Sequence, residues 1–201
     1  MGATDTLAPR PPALRSAVLR SAGVSVVLAA TALGLVTAVA AASGGGLAER
    51  NAVALAAGDL DSSVLAGDRD APAIALRNLG AVALLAAGAP LLGTLTLVAV
   101  PVIGIGLGLS AAAVVAALGP LEALQRVAPY IAFELTGVVL AAAAGILPTV
   151  HALAAAARRS ASLPSAYASA LPASLALTLL AALLILIAAG IEAVVIAAHP
   201  H

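Results

Sequence analysis

The sequence contains no cysteine, no tryptophan and no lysine. Without cysteine there is no disulfide framework, no thiol nucleophile and no thiolate metal site, and the redox compartment is left open. All nine basic residues are arginines, and nine acidic residues cancel them. The chain therefore lacks the excess of positive charge that neutralises nucleic-acid phosphates, which excludes nucleic acid as a partner. Aromatic residues number three, Tyr130, Phe133 and Tyr167, too few to build an interfacial belt of Trp and Tyr. Charge is scarce as well: 9% of residues are charged, against about a quarter in an ordinary soluble domain. A water-solvated globular surface is excluded on that ground.

What is present is hydrocarbon. Of 201 residues, 63% are hydrophobic, and the mean hydropathy is +1.15. A bilayer core of about 30 Å takes roughly 20 apolar residues per spanning helix, so the length allows five or six spans and little else. The expectation is an all-α polytopic membrane helix bundle of about five transmembrane helices, formed by one membrane domain over 21–198. The bilayer itself is its first partner.

Residues 1–20, "MGATDTLAPRPPALRSAVLR", are broken by prolines and carry Arg10, Arg15 and Arg20, which suits a cytoplasmic tail. The first span is expected over 21–42. The "AVA" at Ala38 to Ala40 would suit a signal-peptide cleavage site, but a signal core of 7 to 15 residues is shorter than this run. From 43 to 72 glycines are expected to end the helix, and Glu49, Asp59, Asp61, Asp68 and Asp70 outnumber Arg50 and Arg69, giving an acidic extracytoplasmic loop. Its "DLDSS" is not an EF-hand, because Val64 stands at the sixth position from Asp59, where that loop needs glycine. Leu79 to Gly119 hold no charge over about twice the length of a span. They are read as a hairpin with spans at 73–93 and 96–118 and a turn within 89–100. A short polar connection, "GPLEALQRVAP", leads to spans at 129–148 and 171–198. Five spans place Arg10, Arg15, Arg20, Arg158 and Arg159 on one side and the acidic loop on the other, so the positive-inside rule predicts a cytoplasmic N-terminus.

Few polar residues fall inside these spans. Counted along the helices, Glu134 and Glu192 each lie six residues from the outer face, about 9 Å deep. Arg77 and Asn78, near the start of the second span, reach a similar level. Tyr130 lies four residues before Glu134, on the same helix face. An unpaired charge within a bilayer costs roughly 2.5–3.5 kcal/mol on the insertion scale, so these groups are expected to face the bundle interior and meet. Two carboxylates facing one guanidinium leave one negative charge, so one glutamate is expected to carry a proton. The layer can pin helices together or relay protons or cations. Glu134, Gly137, Ala141 and Gly145 share one helix face, which reads as a close-packing seam. "GIGLG" at Gly104 to Gly108 lacks the spacing of a dinucleotide loop and reads the same way. His151 has no HExxH partner, and no serine has a base near it in sequence, so no catalytic, metal or cofactor site is assigned.

"APYIAFELTGVVLAAAAGI" and "LIAAGIEAVVI" resemble two stretches of the stage II sporulation protein M family, a P-H-G-x-x-E-L-P-A motif followed by small residues and a closing I-A-A-x-I-E-A. "LRNLGAV" at Leu76 to Val82 is similar to that family's second-span start. Pro129, Glu134, Leu135 and Glu192 agree with the pattern. Tyr130 stands in place of His, Ile131 of Gly, Thr136 of Pro and Arg77 of an Asn, and an Asn-Gly pair of the third span is missing. The resemblance implies a non-enzymatic inner-membrane scaffold or assembly subunit that works with other membrane or envelope proteins, in peptidoglycan-remodelling complexes for the namesake. A small transporter subunit using Glu134 and Glu192 as a relay is the alternative, and homo-oligomerisation is left open.

Overall fold

The computed structural model describes residues 12–56 and 71–198. They form five α-helices: α1 (Pro12–Ala56), α2 (Ala71–Ala86), α3 (Thr94–Leu118), α4 (Pro120–Ala157) and α5 (Leu163–Ala198). A 3-10 turn, Ala89–Leu91, joins α2 to α3, and there is no strand among the described residues. Each helix contributes to a segment long and apolar enough to cross a membrane. The chain is a multi-pass helical membrane protein.

Close contacts give the direction of each helix. Gly104 lies against Val36 and Gly108 against Ala40, so α1 and α3 run parallel. Asn78 meets Glu134 and Leu85 meets Gly145, so α2 runs parallel to α4. Gly137 faces Ala181 and Ile185, whereas Ala144 is bonded to Ser174, so α4 and α5 are antiparallel. Successive helices therefore alternate in direction. α4 lies at the centre, with 61% of an apolar 18-residue stretch buried against 22–28% for the corresponding stretches of the other four. Its run from Ala141 to Gly145 is wholly buried, because alanine and glycine let neighbouring backbones approach closely.

Four of the helices are longer than the expected spans, whereas α2, expected over 73–93, ends at Ala86. α1 begins at Pro12 and continues through Gly44, Gly45 and Gly46 to Ala56, so those glycines do not end it. An interior glycine costs a helix about 1 kcal/mol relative to alanine, which packing offsets: Gly44 is buried against Leu109 and Ala112 of α3. Residues 57–70, with the acidic cluster Asp59, Asp61, Asp68 and Asp70, lie outside the described residues, as does the tail 1–11. The expected connection at 119–129 is helical apart from Gly119. Pro120 takes a first-turn position, where a missing N–H leaves nothing unsatisfied. α5 likewise begins at Leu163 rather than 171.

The hairpin turn falls at 87–93, at the early edge of the expected window. Leu92 (φ 54°) and Gly93 (φ 80°) are both left-handed, the second a conformation that glycine adopts without penalty. Gly93 N–H donates to the Gly88 carbonyl at 2.8 Å. Gly88, Ala89 and Gly93 are buried, so their backbone needs partners inside the protein. Thr96 Oγ1 donates to the Leu85 carbonyl at 2.7 Å, and the Tyr167 hydroxyl donates to the Ala89 carbonyl. A related repair occurs in α4. Pro148 has no N–H to give the Ala144 carbonyl four residues back, and Ser174 Oγ of α5 donates to that carbonyl at 2.7 Å.

Candidate functional site

The polar layer is assembled from three helices. α2 presents Arg77 and Asn78, α4 presents Tyr130 and Glu134, and α5 presents Glu192. Gly137 lies one turn below Glu134, and its missing side chain admits Ile185 and the Ala181 carbonyl. This contact draws α4 and α5 together where their carboxylates emerge. Asn78 Nδ2 donates to Glu134 Oε1 at 3.5 Å, a long hydrogen bond between half-buried groups. Glu192 and Arg77 both act electrostatically on Glu134, and both glutamates act on Tyr130. The five residues thus share one neighbourhood.

Two details differ from expectation. Arg77 is exposed, and it forms no ion pair with either carboxylate; the ion pair found among the described residues is Arg126 to Glu122, at 2.6 Å. Arg77 and Asn78 are neighbours about 100° apart around α2, so only one of them can point at Glu134. Asn78 takes that position, and Arg77 acts on both glutamates at longer range. The glutamates are also not level. Glu134 lies three residues outward of Gly137, about 4.5 Å, whereas Glu192 lies seven residues beyond Ile185, about 10 Å. Glu192 is therefore closer in height to Tyr130 than to Glu134. Chemically, the layer offers two carboxyl groups, an amide that bonds to one of them, and a phenol within electrostatic reach of both.

A second buried polar contact was invisible in the sequence. Ser21 Oγ of α1 and His151 Nδ1 of α4 share a 3.0 Å hydrogen bond, across 130 residues, with both side chains buried. His151, which stands alone in the sequence, is in fact an interhelical partner. The available signal is the spacing Ser21, Ser25, Ala29, Leu33, four positions with i, i+4 periodicity that are all buried. That pattern marks the packed face of α1 but does not name its partner. No group of three or more His, Cys, Asp or Glu side chains close enough to hold a metal ion occurs among the described residues. A surface cleft of about 460 Å³ opens at the α3–α4 bend, lined from Leu118 to Arg126.

Comparison with family models, curated proteins and solved structures finds no match to this chain.

Proposed function

We propose that this protein is a non-enzymatic scaffold or assembly subunit of the cell (inner) membrane, similar to stage II sporulation protein M and engaged with cell-envelope or peptidoglycan-remodelling partners. One observation carries the reading. At ~1.5 Å per residue, α1, α4 and α5 are about 68, 57 and 54 Å long, well beyond a bilayer core of about 30 Å. Their ends project into water as helical stalks. The first two turns of α4 expose Leu121 (70%) and Leu124 (60%) beside the Glu122 to Arg126 ion pair. Exposed leucines rimmed by charge suit a protein partner. The cytoplasmic placement of the N-terminus is part of this proposal, supported by Arg15, Arg20, Arg158 and Arg159 at one end of the bundle. The test is affinity capture from membranes in mild detergent, comparing the native chain with Leu121→Ser/Leu124→Ser. A defined partner retained by the first and lost by the second, with equal extraction and melting, is expected. Identical recovery from both chains would sink the reading.

The polar layer favours a second reading, a transport subunit in which Glu134 and Glu192 relay protons or cations. Here pH-dependent flux in proteoliposomes is expected, and Glu134→Gln should abolish it with the fold intact. A chain that passes no flux above empty liposomes excludes this function.

A further inference from the structure

Among the described residues, the end of the bundle opposite the polar layer carries charge of one sign. The Ser21–His151 bond fixes the register of α1 against α4 there. Arg15 precedes Ser21 by six residues and Arg158 follows His151 by seven. Because the two helices are antiparallel, both arginines stand about 9–10 Å beyond that bond on the same side. Arg20 abuts Ser21, and Arg159 follows Arg158 in the left-handed region, φ 51°. All four side chains are exposed. The carboxylates of Glu122, Glu134 and Glu192 belong to the opposite half of their helices. Exposed leucines stand on the same helix ends as the arginines: Leu19, Leu153 and Leu163.

We propose that this arginine collar is a binding surface for anionic phospholipids. A guanidinium presents a planar fork of donors that matches a phosphate, and each arginine near a membrane surface strengthens attachment to anionic lipid about fivefold. Arg20 decides between occupants. It lies within the apolar segment Arg15–Gly44, beside a buried serine, so its charged head must reach to the interface along its own stem. The anion that resides at this depth is a lipid headgroup, and the neighbouring leucines meet its acyl chains. A free phosphate uses only the arginines. An acidic protein segment would have to enter the interface to reach Arg20.

The experiment uses the full chain in nanodiscs of equal phosphatidylglycerol and phosphatidylcholine, re-extracted in mild detergent, with retained lipid counted by native mass spectrometry. Enrichment of phosphatidylglycerol is expected, falling about fivefold for each of Arg15→Gln, Arg20→Gln, Arg158→Gln and Arg159→Gln. Replacement of all four by lysine should keep most of it, and Arg126→Gln, at the other end, should keep all of it. Melting in phosphatidylcholine nanodiscs reports folding, and the single variants carry the test if the quadruple glutamine variant unfolds. Enrichment unchanged by every glutamine variant would overturn the proposal. So would displacement of the lipid by inorganic phosphate, or equally tight binding of a polyglutamate peptide.

Discussion

At the scale of single residues, Glu134 has a specific partner, and that partner makes its role testable. The Asn78 amide donates to its carboxylate, so Glu134→Leu removes a charge from the membrane but leaves a half-buried amide unpaired, which costs about 1–3 kcal/mol. Replacing both groups by leucine removes the charge and the orphan together, and such replacements are often neutral or stabilising. Thermal unfolding in detergent should therefore show Glu134→Leu melting lower than the native chain and Asn78→Leu/Glu134→Leu recovering most of the loss. If the double variant melts lower than either single one, the pair is a structural pin that leucine cannot replace. Depth counting put Glu134 and Glu192 at one level, whereas the packing of α4 on α5 sets them at different heights. Counting also could not choose between Arg77 and Asn78, since adjacent residues differ in rotation rather than in height. Ser21 and His151 escaped entirely, because no local pattern encodes contact across 130 residues. A double-mutant cycle on Ser21→Ala and His151→Ala should give a coupling of about 0.6 kcal/mol, the mean for interhelical hydrogen bonds in a membrane bundle, and no more than about 1.7 kcal/mol. A coupling of zero would mean that the bond contributes nothing to holding α1 on α4.

Among the helices, small residues decide which surfaces touch. The face of Glu134, Gly137, Ala141 and Gly145 is readable from spacing alone, and all but the partly exposed Glu134 are buried. "GIGLG" divides more finely. Gly104 and Gly108 lie against α1, with a Cβ on Gly108 only 2.5 Å from the Thr37 carbonyl, whereas Gly106 between them meets open space. A Cβ on Gly145 would collide with the Leu85 carbonyl oxygen and Thr96 Oγ1, the two groups that close the hairpin turn. Gly145→Ala should thus destabilise by about 1–3 kcal/mol, as overpacking does. Gly106→Ala should be neutral or stabilise by up to about 1 kcal/mol through helix propensity. Comparing the two melting temperatures in one detergent checks this, and equal temperatures would refute the seam. Helix lengths were the least legible feature. Hydropathy marks where a chain can sit in lipid, but a helix ends where its backbone loses partners. Pro12 and Pro120 at first-turn positions and a buried Gly44 let α1 and α4 continue well past the apolar runs.

Over the whole molecule, alternating helix directions put the 87–93 turn and the α4–α5 connection at one end and the α3–α4 bend at the other. Arg15, Arg20, Arg158 and Arg159 stand at the first end, whereas Glu122, Glu134 and Glu192 lie toward the second, together with Arg77 and Arg126. Because the sequence has no cysteine, a single introduced thiol is a reporter without background. Ser160, in the α4–α5 connection, and Leu121, at the start of α4, are both exposed and stand about 39 residues apart along a 38-residue helix and its cap. The helical part of that separation, 121–157, is about 54 Å along the axis, far more than a bilayer core of about 30 Å. A membrane-impermeant maleimide added to intact cells should label Leu121→Cys and leave Ser160→Cys unlabelled until the membrane is opened, given the positive-inside orientation. The reverse pattern would invert the protein while preserving the five-helix crossing. Labelling of both positions from one side would break the alternation itself, since α4 could then not cross, and the polar layer and the arginine collar could not face opposite leaflets.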